Sequence, residues 1–380
     1  METKTNTSLY IPQFDIIRFF AAFMIVIYHS FIAWNGWFGI PGFLSVGDYK
    51  TYSTFGSYVA KLIGNFPIGV DIFFFISGYL LTYLLIVEKD RFGKVNIPRF
   101  YLRRGLRIWP LYFFLIALAP FIVSWLGEKS PDYWPSLLFI NNFHTISTET
   151  WQYPFAHFWS ICIEEHFYIV WPVVIAFIPR KHLTTAIIGF IGISWGYKAF
   201  TAISGATTWY NVYLHTLSRM DVILMGALLA DIYLKKPFVF RMNWKISTLI
   251  MLFLVIFLSM DTISNYETIF GRVLRLPVYI TLMGLVISDL LFNPGRTFSH
   301  RFWKPFMYLG KASYGIYMYG NILVTIVVKK VMIGFAIYNI YFYYFLIVVL
   351  SLLIPVISYE LLEKPFLKLK QRFALVKTRL

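Results

Sequence analysis

The apolar residues of this chain come in runs of about twenty, the length that an α-helix needs to cross ~30 Å of hydrocarbon. Polar and charged segments separate one run from the next. The pattern predicts an all-α, polytopic membrane protein with about ten transmembrane helices. The predicted spans are residues 14–32, 66–87, 108–126, 158–178, 185–203, 220–234, 246–260, 273–292, 306–328 and 338–362.

The segments between the predicted spans leave no room for a soluble domain, so we expect residues 1–380 to form a single integral-membrane domain. The longest of them, about residues 33–65 and 127–157, are rich in Trp, Gly, Pro and Ser. No small-residue cleavage site follows the first apolar run, and we therefore expect that run to remain as a helix. No repeat of roughly 20–50 residues is visible, nor any symmetry between the two halves, which disfavours a transporter.

The composition excludes several classes of protein. Of the 380 residues, 58% are apolar, 21% are aromatic and only 14% are charged, and the mean hydropathy is +0.65. Soluble domains carry about 25% charged residues, so an ordinary soluble enzyme, a disordered chain and a nucleic-acid-binding module are all excluded. The single cysteine, Cys162, rules out a disulfide framework and a cysteine-cluster metal site, and we expect no metal.

The positive charge of the chain predicts its orientation. The net charge is +16, from 34 Lys and Arg against 18 Asp and Glu, and most of the basic residues fall in alternate loops. Residues 88–107 are the richest of these loops. With an even number of spans, the positive-inside bias predicts that both termini are cytoplasmic, and the loops are expected to meet anionic lipid or an anionic substrate.

Four ionisable residues are expected within the outer third of the membrane. His29 lies near the outer end of the first span, on the same helix face as Arg18, because eleven residues correspond to ~20° around a helix and ~16 Å along it. Counting turns from the outer surface places Asp71, Glu164 and Glu165 at a similar depth. A carboxylate beside His29 would raise the basicity of its imidazole, as a general base requires. The alternatives are a structural network of buried ions and, for His29 alone, a hydrogen-bonded core histidine.

An arginine pair marks the cytoplasmic end of the third span. Arg104 and Arg107 are three residues apart and therefore lie on one helix face. Guanidinium pairs suit phosphate groups, because each one can donate two parallel hydrogen bonds. On this pattern alone, however, a cluster that merely sets topology is the simpler interpretation.

Seven motifs resemble those of the membrane-bound acyltransferase 3 family, whose members O-acylate cell-envelope sugars and related acceptors. They occur in the family's order, and the similarity covers residues 12 to about 368. The motifs are FDIIRFFAAFMIVIYH (14–29), GVDIFFFISGYLL (69–81), RFYLRRGLRIWPLY (99–112), FWSICIEEHFYIVWP (158–172), SRMDVILMGALLA (218–230), SYGIYMY (313–319) and LLEKPFL (361–367). One position departs from the pattern, since Gly320 stands where many members have histidine, and we assign no chemistry to it.

The resemblance implies a role for each candidate residue. His29 would be catalytic, and a carboxylate, Glu164 first, would orient its imidazole. Arg104 and Arg107 would hold the phosphates of acyl-CoA. The candidate catalytic residues are His29, Glu164, Glu165 and Asp71. The candidate donor-binding residues are Arg18, Arg103, Arg104 and Arg107.

The activity implied is acyl transfer in a bacterial inner membrane. An acyl group, acetyl in the first instance, would move from cytoplasmic acyl-CoA to a hydroxyl of a cell-envelope or exported glycan or glycolipid. His29 would act as general base or as transient acyl carrier, in a polar pocket among the first four spans. A transporter or flippase of a glycolipid or small solute is the alternative, and a membrane scaffold is a third possibility. The sequence predicts neither the acceptor's identity nor the oligomeric state.

Overall fold

The computed structural model describes residues 11–37, 54–204, 208–236, 242–259, 273, 275–293 and 301–375. These ranges are mainly helical and contain no β-strand, and the longest non-helical connections within them are residues 127–133 and 149–155. The α-helices are α1 (Pro12–Trp37), α2 (Thr54–Gly64), α3 (Ile68–Phe92), α4 (Ile97–Leu126), α5 (Trp134–Leu137), α6 (Asn141–Thr148), α7 (Trp159–Phe177), α8 (Leu183–Ile203), α9 (Trp209–Leu214), α10 (Thr216–Lys235), α11 (Trp244–Leu258), α12 (Arg275–Phe292), α13 (Lys304–Lys311), α14 (Ser313–Ile326), α15 (Ile340–Ser358) and α16 (Lys364–Gln371). Two π-helices, Val327–Ile333 and Tyr359–Glu363, follow α14 and α15.

The chain is a multi-pass membrane protein. Among the described residues, seven helical segments are long and apolar enough to cross a membrane. These segments are Pro12–Trp34, Tyr58–Phe92, Ile97–Leu126, Ala156–Phe177, Arg180–Ile203, Ser313–Ile333 and Ile340–Gln371. Large apolar side chains such as Phe121 (73% exposed) and Phe177 (78% exposed) lie on their outer surfaces, as expected of residues that face lipid.

The other three predicted spans also coincide with helices, α10, α11 and α12. Helix α10 is long enough but carries several charges, and α11 and α12 are shorter apolar helices. The count of ten spans and the cytoplasmic position of both termini stay predictions. Seven of the basic residues that bear on the topology lie outside the described residues: Lys4, Lys50, Arg241, Arg272, Arg296, Lys377 and Arg379.

The α3–α4 connection sets the direction of the arginine-rich helix. Gly93 ends α3 with a φ of +70°, a conformation that glycine adopts without strain. The side chain of Asn96 then caps α4 by accepting a hydrogen bond from the backbone N of Arg99 at 3.1 Å. This start places Arg103, Arg104 and Arg107 in the second and third turns of α4.

Helices α3 and α10 are in backbone contact through two glycines. A Cβ on Gly78 would lie 1.8 Å from the carbonyl oxygen of Ile223, and one on Gly226 would lie 2.0 Å from that of Phe75. Small residues allow membrane helices to approach this closely. The contact carries the charged α10 into the centre of the bundle, where Arg219 is buried.

The last two predicted spans differ from the helices in the structure. The span expected over 306–328 consists of the short helix α13 and a membrane-length segment that begins only at Ser313. The span expected to end at residue 362 continues through the second π-helix into α16 and ends at Gln371. Pro365 lies just after the junction of the π-helix with α16 and does not interrupt the segment. The continuation brings the C-terminal basic residues back against α4.

Candidate active site

A cavity of about 1110 Å³ lies between α1, α3, α4, α7, α14 and the C-terminal helix, and we call it the basic cavity. Its basic lining residues are Arg18, Arg91, Arg104, Arg107, Lys311, Lys368, Lys370 and Arg372. Its acidic lining residues are Asp15, Glu164 and Glu363. Positive charge therefore predominates in a cavity whose walls come largely from the first four spans, where the sequence predicted a polar pocket.

Arg104 and Arg107 both line the basic cavity without an ion-pair partner in the part of the chain that the structure describes. The Arg104 guanidinium lies 5.6 Å from the ring centre of Phe100 and 5.8 Å from that of Tyr168. Its Nε is buried and has no hydrogen-bond partner among the described residues. The aromatic rings thus hold this guanidinium while leaving its donors available to an anion.

The two other arginines of the predicted donor set differ from this pair. Arg18 lines the basic cavity and lies 3.7 Å from Asp15, one turn earlier on α1. Arg103 points elsewhere, since it pairs with Glu88 at 3.0 Å and donates to the carbonyl oxygen of Phe373 at 3.2 Å. The structure therefore brings together Arg18, Arg104 and Arg107, whereas Arg103 ties α3, α4 and the C-terminal segment to one another.

A second cavity of about 590 Å³ contains His29, and we call it the histidine cavity. Its ionisable and amide side chains are His29, Lys61, Asn65, Asp71, His157 and Arg275. Its aromatic side chains are Tyr28, Trp151, Tyr153, Trp159, Trp209, Tyr213, Tyr279 and Tyr317. The ring of His29 lies 6.4 Å from that of His157 between centroids, and His157 is a residue that the sequence analysis did not single out.

Asp71 shares the histidine cavity with His29, but its carboxylate is engaged elsewhere. One oxygen pairs with Arg219 of α10, and the other accepts a hydrogen bond from Tyr279 of α12. The Arg219 guanidinium also lies 5.1 Å from the ring centre of Tyr213. A carboxylate with two such partners is held firmly in place.

The two consecutive glutamates lie on different faces of α7 and not beside His29. Glu164 lines the basic cavity and accepts a hydrogen bond from the Ser77 hydroxyl at 2.8 Å. Glu165 lines neither cavity and is 3.5 Å from Nε1 of Trp109. The expected grouping of all four catalytic candidates is therefore not observed. Counting helical turns gives the depth of a residue in the membrane but not the direction in which its side chain points. Consecutive residues of a helix point ~100° apart.

Tyr317 and Val70 line both cavities and so form the wall between them. The Tyr317 hydroxyl donates to the carbonyl oxygen of His157 at 2.8 Å and shares a hydrogen bond of 2.6 Å with the Ser160 hydroxyl. Helix α1 runs past this wall, with Arg18 on one side and His29 on the other. The two cavities are adjacent, and one tyrosine side chain stands between them.

Four residues of these cavities were missed by the sequence analysis as functional candidates: His157, Tyr317, Glu363 and Lys370. Tyr317 and Glu363 occur within the motifs SYGIYMY and LLEKPFL, and their place in these motifs could have marked them as candidates. Lys370 was counted only among the basic residues that set topology. For His157, nothing in the sequence distinguished it from a core histidine.

No group of three or more His, Cys, Asp or Glu side chains that would suit a metal occurs in the described ranges. That a metal takes no part in the function stays a prediction.

The sequence profile of the acyltransferase 3 family, described as an acyltransferase domain, matches residues 11–360. The chain belongs to this acyltransferase family. The family resemblance drawn from the seven motifs is therefore confirmed.

Two relatives in this acyltransferase family come from Staphylococcus aureus. The O-acetyltransferase OatA is 28% identical over 389 residues, which cover 96% of this chain and 58% of the relative. A putative O-acetyltransferase of strain COL is 27% identical over 393 residues, which cover 96% of this chain and 59% of the relative. The chain thus spans less than two thirds of the length of these relatives. No solved structure matches it.

Proposed function

We propose that the protein is an integral-membrane O-acyltransferase that uses acyl-CoA, acetyl-CoA in the first instance, to acylate a hydroxyl of a cell-envelope or exported glycan or glycolipid. One observation carries the proposal: a cavity with an excess of arginine and lysine and a cavity containing His29 share a wall formed by Val70 and Tyr317. The names of the relatives, both O-acetyltransferases, agree with it.

The donor binds with its phosphates in the basic cavity. Arg104 and Arg107 supply forked donors that match phosphate oxygens, and Arg18 adds a third guanidinium. Arg103 is the weakest member of the predicted donor set, because Glu88 already holds its guanidinium. The cavity volume lies just above the usual range for ligand sites, which is about 300–1,000 Å³, so the cavity has room for a large ligand.

The thioester arm follows α1 from Arg18 towards His29. The two residues are separated by ~16 Å along the helix axis, and an extended pantetheine arm covers about half of a ~30 Å bilayer. The thioester carbonyl then lies at the wall formed by Val70 and Tyr317, and a change in the Tyr317 side chain opens the way to His29.

His29 acts as general base in the transfer itself. Its imidazole nitrogen takes the proton of the acceptor hydroxyl while the hydroxyl oxygen attacks the thioester carbonyl carbon. The carbon–sulfur bond breaks, and the CoA thiolate takes up the proton from the imidazolium. If His29 is instead a transient acyl carrier, its nitrogen attacks the thioester carbonyl carbon, the carbon–sulfur bond breaks, and CoA leaves as the thiol with the imidazole N–H proton. The acceptor oxygen then attacks the acyl-imidazole, the carbon–nitrogen bond breaks, and the hydroxyl proton returns to the imidazole. Asp71 and Glu164 remain proposed orienting groups, and Glu165 is the most distant candidate, since it lines neither cavity.

A glycan acceptor suits the histidine cavity because of its aromatic lining. The ring of Trp209 lies 6.2 Å from that of Trp151 and 5.8 Å from that of Tyr213. Flat aromatic faces pack against the C–H faces of pyranose rings, and polar groups that line the same cavity can fix the hydroxyls.

The orientation follows from where acyl-CoA is made. We propose that the basic cavity opens to the cytoplasm of a bacterial inner membrane and the histidine cavity to the opposite side. The residues that line the basic cavity include Arg91 and Arg372, which belong to the basic loops that favour a cytoplasmic position.

The test is transfer of radiolabelled acetyl groups in inverted membrane vesicles from cells that express the protein. Labelled acetyl-CoA is added outside, and both free CoA thiol and label in the polysaccharide fraction are measured. The proposal predicts that both rise together and require the expressed protein. A transporter or flippase predicts no consumption of the thioester, and that result would overturn the proposal.

A further inference from the structure

The C-terminal helix presents one face to the basic cavity. The π-helix Tyr359–Glu363 leads into α16 without a break, so residues on both segments share the same side. Glu363, Leu367 and Lys370 line the cavity at spacings of four and three residues, as expected of one helix face, and Lys368, Gln371 and Arg372 line it beside them. This face thus lies opposite the arginine pair of α4.

Lys370 is partly buried on this face. The charged groups that act most strongly on its ammonium are all cations: Arg107, Arg104, Arg18 and Arg103. The Lys370 ammonium has no ion pair or hydrogen bond with any other described residue. Lys364, one and a half turns earlier on the same helix, is by contrast paired with Glu360 and does not line the cavity.

Several like charges in a partly enclosed space repel one another more strongly than they would in open water, because the effective dielectric is lower. A buried cation normally has a carboxylate partner, since leaving it without one is strongly destabilising. The eight basic residues of this cavity face only three acidic ones. An anionic ligand would supply the missing negative charge.

We propose that Lys370 is a phosphate-binding residue that completes a three-cation site with Arg104 and Arg107. The inference rests on the proposed function, in which the ligand is a CoA thioester with a diphosphate and a 3′-phosphate. The lysine ammonium contributes a compact charge from the C-terminal side of the cavity, and the two guanidinium groups contribute forked donors from α4. The donor nucleotide is thereby held between two helices, α4 and α16, that are far apart in the sequence.

The experiment compares equilibrium binding of CoA, dephospho-CoA and pantetheine to the purified full-length protein in detergent at low salt. The variants are K370A, K370R and the matched control K364A, which removes a lysine from the same helix but outside the cavity. Loss of one charge-assisted contact predicts that K370A binds CoA roughly 10- to 100-fold more weakly. K370R is expected to recover most of the affinity, and K364A and pantetheine binding are expected to be unaffected.

The ligands separate the two phosphate positions. If K370A weakens CoA but not dephospho-CoA, Lys370 binds the 3′-phosphate; if it weakens both, Lys370 binds the diphosphate. Unchanged CoA affinity in K370A, or an equal loss in K364A, would overturn the assignment of Lys370 while leaving the proposed donor intact. A wild-type protein that binds no CoA would overturn the proposed function as well. Equal thermal midpoints for K370A and K370R show that a loss of binding is not a loss of folding.

Discussion

The two cavities are bordered by two groups of basic residues that differ in how their charge is balanced. Beside the histidine cavity, Arg219 pairs with Asp71 and Lys198 pairs with Asp221. In the basic cavity, Arg104, Arg107 and Lys370 have no carboxylate within ion-pair distance among the described residues. The first group is balanced within the protein, and the second is not.

This difference suggests that the first group stabilises the fold and that the second group binds a ligand. The balanced group joins α3, α8, α10 and α12, since Asp71, Lys198, Arg219 and Tyr279 come from these four helices in turn. Ionisable groups inside a membrane protein are costly, and pairing them within the bundle offsets much of that cost. The unbalanced group keeps its hydrogen-bond donors for a ligand.

The largest expected effect is a loss of acetyl transfer without a loss of CoA binding. Replacing His29 by Ala should lower acetyl transfer by about 100- to 10,000-fold, because the general base is lost. CoA affinity should be unchanged, since His29 lines the other cavity. Transfer assays and binding measurements on the same preparation check both statements.

The control for this variant is His166→Gln. His166 lines neither cavity and hydrogen-bonds the Thr216 hydroxyl at 2.8 Å, so a glutamine should retain activity. If H29A transferred acetyl groups at the wild-type rate, the catalytic assignment of His29 would be wrong.

Mutations in the balanced group should lower the stability of the protein. Arg219→Ala leaves Asp71 buried without its main partner and should cost about 3–5 kcal/mol of unfolding free energy. Thermal and denaturant midpoints in detergent measure this loss. Arg104→Ala serves as the comparison and should leave stability nearly unchanged, because no carboxylate loses its partner. Equal destabilisation by both substitutions would remove the distinction between the two groups.

Mutations in the unbalanced group should lower the affinity for CoA. A variant with both Arg104 and Arg107 replaced by Ala should bind CoA about 100-fold more weakly, because two charge-assisted contacts are lost. The remaining affinity should also depend less on salt, since fewer charges attract the phosphates. Arg99→Ala, an exposed position on the same helix, is the control. Wild-type CoA affinity in the double variant would contradict the assignment.

The smallest expected effect concerns Glu363, one of the three acidic residues that line the basic cavity. Glu363→Gln removes a negative charge that repels phosphate, so CoA should bind a few-fold more tightly at low salt, a change of about 1 kcal/mol or less. Glu360→Gln is the matched control, because Glu360 pairs with Lys364 outside the cavity. Weaker binding in the Glu363→Gln variant would indicate that this carboxylate contacts the donor favourably.

Much of the fold was predictable because lipid restricts the choice of structure. Every predicted span coincides with a helix, since long apolar runs in a bilayer have few alternatives to helix formation. Span ends were less predictable. The continuation through residues 359–371 depends on a π-helix and on the packing of α16 against α4, which hydropathy does not report.

The candidate site was predictable in part. The three-residue spacing of Arg104 and Arg107 led to a shared face, and both residues line one cavity. The positions of the carboxylates were harder to predict. The depth of a residue can be counted along its helix, but the direction in which its side chain points depends on how the helix is rotated in the bundle. Glu164 therefore lies beside Ser77 of α3 and not beside His29. Lys370 could not be placed from sequence, since its neighbours lie on α1 and α4.

The most direct test is the structure of the purified protein with bound CoA, determined by electron cryomicroscopy. The account predicts density for the phosphates against Arg104, Arg107 and Lys370, with the pantetheine arm directed along α1 and the sulfur at the wall formed by Val70 and Tyr317. Nucleotide density in the histidine cavity, or an arm that points away from Tyr317, would contradict it.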